Sequence, residues 1–242
     1  MFRFTLKKWS AWAPGLHAPS AWRNWAQAPH TPIPDETAAI PSPAFLPPMQ
    51  RRRLGCLARM AFHCAWPLAE NQRPMPVVYG SRHGETTRSI DLLLDLARQA
   101  PLSPTSFGLS VHNAVVGQWS ITRQETTETV AISAETAGAE HSFLEACSLF
   151  TQGHTSALVI LAEEHPPHLY APWIADAPFS YAAAFHLQPG DDWCLTLETS
   201  DPDQACSELP SALNLLRHLA LGATHWQHQE GRQVWTWKHR DH

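Results

Sequence analysis

At 242 residues the chain is long enough for one large domain, or a domain with a small appendage, and too short for two full ones. A net charge of −5 leaves no strong overall positive field to gather nucleic acid or anionic lipid. A composition 44% hydrophobic and 16% charged excludes a disordered chain.

Residues 1 to 12, MFRFTLKKWSAW, alternate loosely and then meet Pro14-Gly15, which predicts an N-terminal strand ended by a turn. Residues 13 to 49 hold Pro29, Pro32, Pro34, Pro41, Pro43, Pro47 and Pro48, so an extended surface segment is expected. From Arg52 to Trp66 the spacing of Leu54, Leu57, Met60, Ala61 and Cys64 is helical, with Pro67 as its stop. Arg51, Arg52 and Arg53 then read as a solvated helix start. PVVYGS at 76–81 is a short buried strand, and Thr86 to Gln99 is a helix closed by Pro101. Beyond SPTSFGLSVHNAVVGQWSI come a β-rich stretch at 127–134, a helix from about Thr136 to Phe150 and an apolar strand at 156–164. This alternation predicts an α/β single domain over residues 1–242, its sheet parallel or mixed and covered by helices. AAAFHLQPG and WCLTLET read as two further strands and residues 213–221 as a short helix. THWQHQ and RQVWTWKH flank Glu230-Gly231 as a closing Trp-rich hairpin. The 11 Trp fit either a core or a subunit contact.

Several chemistries lack their motifs. Cys56, Cys64, Cys147, Cys194 and Cys206 form no Cys-x-x-Cys pair, so neither a disulfide framework nor a zinc ribbon is predicted, and a reducing, cytoplasmic setting is expected. The longest apolar run, Ala157 to Ala162, is too short to span a bilayer. No Gly-x-Ser-x-Gly marks a hydrolase, and GSRHGE lacks the lysine of a phosphate loop. The His165-Pro-Pro-His168 pair and the terminal His225, His228, His239 and His242 are read as surface residues, so no metal site is predicted.

Taken together, the stretch from Val77 to Glu164 resembles the N-terminal halves of β-ketoacyl-acyl carrier protein synthases, which have a thiolase-like fold. SPTSFGLSVHNAVVG at 103–117 is similar to the segment that precedes their condensing cysteine. ISAETAG at 132–138 falls where they carry Thr-Ala-Cys, so Ser133 and Ala134 match the Thr-Ala pair, Glu135 takes the cysteine position and Gly138 matches a family glycine. WSAWAPGL and MQRRRL further resemble truncated, synthase-like chain-length factors of type II aryl polyene systems.

What the resemblance implies is a silent subunit. The family's nucleophile is a thiolate at a strand-to-helix turn, where a helix N-terminus lowers its pKa. A carboxylate there could accept an acyl group only as a mixed anhydride, while as a helix-start residue it gains roughly 0.3–1 kcal/mol from the dipole. The family's second half, with its two histidines, is also not expected in the residues after Glu135. The implied role is a non-catalytic chain-length factor, paired with an active β-ketoacyl synthase and visited by acyl carrier protein. It would need no cofactor of its own, because the acyl-phosphopantetheine arrives on the carrier.

By the same resemblance Thr87, Ile90, Asp91 and Leu94 would border the acyl passage at the dimer contact. His112 and Asn113 would be hydrogen-bonded packing near it. A half-length fold would leave an apolar face for the partner. Two alternatives stand beside this role: a residual malonyl decarboxylase using Glu135, and a docking module for acyl carrier protein.

Overall fold

In this computed structural model residues 1–32, 40–199 and 207–240 are described; Pro34, Cys206 and His242, which figured in the sequence reading, lie outside them. Strand β1 (Phe2–Trp12) leads into helix α1 (Pro19–Gln27). This helix corrects the expectation of an extended segment over 13–49. Pro19 stands in its first turn, where a missing N–H costs nothing, and Trp22 and Trp25, one turn apart, are both buried. The helix-blocking prolines begin only at Pro29.

A short α2 (Pro48–Arg51) precedes α3 (Cys56–Ala69), so Arg52 and Arg53 lie in a turn between helices and not at a helix start. Pro67 does not stop α3. It sits in the last turn, with the chain leaving the helix after Ala69.

Next come β2 (Val77–Gly80), α4 (Thr86–Ala97), α5 (Pro104–Gly108), α6 (Ala114–Arg123), β3 (Thr129–Ile132), α7 (Gly138–Thr151) and β4 (Ala157–Glu163). Helix α5 is capped by the Ser103 hydroxyl, which accepts the Ser106 N–H at 3.2 Å. The two strands expected after β4 are one, β5 (Tyr181–Thr199), followed by α8 (Ser211–Leu221) and the hairpin β6 (His225–Glu230) and β7 (Gln233–His239). Gln188-Pro189-Gly190 looks like a break in sequence, yet β1 and β7 hold the residues on either side.

The sheet runs β3-β2-β4-β5-β7-β6, with β1 also on β5. Strands β3, β2 and β4 are mutually parallel, and β5 is antiparallel to β4, β1 and β7. Tyr181 to Leu187 pair with β4 and Trp193 to Thr199 with β7, while β1 runs opposite both parts. Both faces are covered, which is why β4 is an unbroken apolar run. Leu158 and Ile160 pack with Leu57, Met60 and Phe62 of α3; Val159 and Leu161 pack with Phe143 of α7 on the other face.

The hairpin extends the sheet beyond β5, and its aromatic side chains fill the layer shared with α7 and α8. Trp226 stacks on Trp237 at 5.5 Å and stands 5.3 Å from Trp193, and Trp235 and Trp237 are fully buried. The tryptophan excess is therefore mainly core. Trp173, 78% exposed, is the exception.

Candidate functional site

The parallel strands β2, β3 and β4 end at one side of the sheet, and the loops leaving them meet there, the usual place for a site in an α/β sheet. The loop after β2, Ser81 to Gly84, is the hub. Its anchor is Glu163, the last residue of β4, which is 6% exposed and accepts the N–H groups of Arg82 and His83 and the Ser81 hydroxyl. Burial pushes the Glu163 carboxyl up to about 7 against these donors.

Asp176, from the segment between β4 and β5, accepts His83 Nε2 at 2.9 Å and Arg82 Nη1 at 3.0 Å. Burial would raise its carboxyl, but His83 and Arg82 outweigh it and hold it below the usual carboxylate range. Gly84 has φ of 58° and lies against His112, where a Cβ would come within 3.1 Å of the ring. A non-glycine residue there would be strained and crowded at once.

Glu135 stands in the turn from β3 to α7. Ser133 donates to the Arg82 carbonyl at 2.9 Å, fixing this turn to the hub. The Glu135 side chain is 85% exposed, with Arg82 Nη2 at 3.9 Å, so their attraction is solvent-screened and weak. It is not the helix-start acid of α7: the helix begins at Gly138, and Glu140 occupies its first turn. Two amides at the start of α7 are committed to the chain's C-terminal part, that of Ala137, just before the helix, to the Glu230 carboxylate at 3.1 Å and that of Ala139 to the Ser211 hydroxyl at 2.9 Å. Those two donors are thus not free to polarise a carbonyl or steady a thiolate.

A cavity of about 180 Å³ opens beside the turn, with Glu135, Glu163, Asp176 and Glu230 as its carboxylates and Arg82 as its cation. Its carboxylates outnumber its cation, which disfavours an anionic substrate there. No group of three or more His, Cys, Asp or Glu among the described residues has metal-binding geometry.

The other residues singled out from the sequence fall in different places. Thr87 hydrogen-bonds the Glu164 side chain, whose carboxyl burial raises, and Asp91 adds to that rise. Ile90 is 5% exposed and belongs to the interior, whereas Leu94, one turn on, is 37% exposed. None of the four lines the cavity at Glu135. His112 Nε2 approaches the Ser81 carbonyl at 2.6 Å, tying α6 to the hub, and Asn113 starts α6 without a side-chain capping bond. Sequence reasoning missed Glu163, Asp176 and Glu230 as neighbours of Glu135. The signal available was the acid pair closing an apolar strand after the Gly80-Ser81 turn.

The matching family model is the N-terminal domain of β-ketoacyl synthases, which covers residues 22–238, and the chain belongs to that family. No curated protein matches it by sequence. Among solved structures it is similar to a chain of the complex of ketosynthase ApeO with its chain length factor ApeC from Xenorhabdus doucetiae, at 29% identity. That match covers 98% of this chain and 100% of the other, with a TM-score of 0.86. The ishigamide ketosynthase/chain length factor matches at 15% identity and TM-score 0.62, over 83% of this chain and 68% of that one. A β-ketoacyl synthase from Burkholderia phymatum STM815 matches at 14% identity and TM-score 0.59, over 93% and 71%. The fold is the thiolase-like fold of ketosynthases, here with a Trp-rich hairpin at its C-terminal end.

Proposed function

We propose that the chain is the non-catalytic, chain-length-factor subunit of a type II β-ketoacyl synthase of the aryl polyene kind, working beside an active synthase and its acyl carrier protein. The observation that carries this reading is the turn itself. The solvent-exposed Glu135 stands where the resemblance puts the family's nucleophile, and Glu230 and Ser211 take the amides of Ala137, just before α7, and Ala139 in its first turn. The acidic cavity speaks against the decarboxylase alternative, since Glu135, Glu163, Asp176 and Glu230 would all face a malonyl carboxylate.

The likeness to the ApeO–ApeC complex supports a pairing role. So does the surface of the crossover from β2 to β3. Strand β3 ends the sheet, and Leu93, Leu96, Phe107 and Ile121 are 56%, 59%, 64% and 79% exposed on α4, α5 and α6. An open strand edge flanked by exposed apolar side chains is a surface that favours a partner.

Co-expression with a neighbouring synthase gene should yield one hetero-oligomer that survives size exclusion. In that complex a radiolabelled acyl carrier protein should leave label on the synthase and none on this chain. Label on Glu135, or a chain that ignores every co-encoded synthase, would overturn the reading.

A further inference from the structure

The ends of β2 and β4 opposite the Glu135 turn carry a second site. Two cavities of about 470 and 490 Å³ share Asn71, Gln72, His186 and Gln188 and so form two lobes of one groove. Lys7 and Lys8 line the first lobe and Arg73 the second. Glu70 alone among the lining residues is acidic.

The lysines are placed by an irregularity in β1. Consecutive residues of a regular strand point to opposite faces. Here the register against β5 slips between Leu6, opposite Leu187, and Lys8, opposite His186, leaving Lys7 as the extra residue. A bulge of this kind re-aims a side chain, and both lysines line the same lobe. Among the described residues neither forms an ion pair.

His186 forms the floor between the lobes. It is 7% exposed, and its Nε2 is buried without a hydrogen-bond partner. Burial, and then the charges of Lys7 and Lys8, hold its imidazole below the usual histidine range. Nε2 has no accessible surface in the groove, so a ligand oxygen reaches it only if the ring turns toward the lobes. Cations in each lobe, with the Gln188 amide lining both, describe an anion with several acceptor oxygens.

The geometry points to this groove as a binding site for a phosphate-type anion, from either a soluble phosphate ester or a phospholipid headgroup. The site is separate from the Glu135 turn and does not depend on the pairing role.

Equilibrium dialysis of the full chain with radiolabelled pyrophosphate and orthophosphate tests it. Saturable binding near one per chain is expected, with pyrophosphate held at least about tenfold more tightly than orthophosphate because it brings more charge and more acceptor oxygens to the cations of the groove. Lys7→Ala/Lys8→Ala, at two exposed positions, should weaken binding about tenfold or more without moving the melting temperature, while Arg52→Ala/Arg53→Ala should leave it unchanged.

Flotation with phosphatidic acid vesicles, against phosphatidylcholine vesicles, separates the sources. Capture that pyrophosphate displaces assigns a headgroup, and pyrophosphate binding without capture assigns a soluble ester. No saturable binding of pyrophosphate, or equal loss in the Lys7/Lys8 and Arg52/Arg53 variants, overturns the site.

Discussion

Glu140 and His228 show how much one buried residue can decide. Glu140 is 1% exposed, accepts Trp237 Nε1 at 3.1 Å and faces His228 Nδ1 at 3.2 Å. That approach lies off line for a hydrogen bond, so the contact is mainly electrostatic, and Glu140 Oε2 and His228 Nε2 keep no partner. Burial would raise the carboxyl, but His228 and Trp237 bring it below its ordinary 4.5. Burial would lower the imidazole, but Glu140 lifts it above 6.5.

The signs of the two linkages differ. The Glu140 share of stability is present above pH 4.5 and lost as pH falls through its lowered value. The His228 share is full below pH 6.5 and lost as pH rises through its raised value. Glu140→Gln should therefore destabilise by about 3–5 kcal/mol, and the gap to the parent protein in urea melts should be widest between pH 4.5 and 6.5. A gap that does not vary with pH would mean the pair is not charged.

Glu135 was legible in the sequence because its neighbours Ser133, Ala134 and Gly138 lie on the same short motif. Glu140, Glu163, Asp176 and Glu230 were not. Each meets its partner across the sheet or between distant segments, and only strand order and register bring such residues together.

Helix α4 separates two roles that its spacing had merged. Ile90 and Leu94 are four residues apart, which predicts one face, yet the first is interior and the second is at the surface beside Leu93 and Leu96. Ile90→Ala should then cost about 2–5 kcal/mol, whereas Leu94→Ala should stay within about 0.5 kcal/mol, as surface changes do.

If the outer face meets the synthase, Leu93→Arg and Leu96→Glu should dissolve the complex on size exclusion while leaving the chain's own melting temperature in place. Thr87→Trp, in the assembled complex, should shorten the products if α4 borders the acyl passage. Unchanged lengths would assign Thr87 to its contact with Glu164 alone.

At this scale β4 and α7 were read well because a buried strand and a long helix carry strong periodic signals. Helix α1 and the single β5 were misread because local breakers outweighed contacts made far along the chain. Two buried tryptophans hold α1 in a Pro-rich segment, and three neighbouring strands hold β5 across Gln188-Pro189-Gly190.

As a whole the molecule is a ketosynthase-type fold in which the C-terminal hairpin supplies part of the core. Trp237 packs on Phe143 and bonds Glu140, Trp235 packs on His141, Trp226 stacks on Trp237, and Glu230 and Ser211 hold the turn that carries Glu135. Removing residues 223–242 should therefore bare α7 and give an insoluble chain, instead of a smaller soluble one. Soluble, folded protein after that truncation, with a native circular dichroism spectrum, would show the hairpin to be dispensable.

The clasp of β1 by β5 has a consequence for how the protein is made. Strand β1 leaves the ribosome well before its partner residues, Ala182 to Leu195. At synthesis rates of about 5–20 residues per second, β1 waits on the order of 10–40 s for them with its hydrogen-bonding edges open. Its basic Arg3, Lys7 and Lys8 are the charges that discourage mispairing during that interval. Nascent chains stalled before residue 180 should accordingly leave β1 open to protease, and those stalled with residue 199 well clear of the ribosome should protect it. The two lysines would thus guard the newborn strand before they line a groove in the finished one.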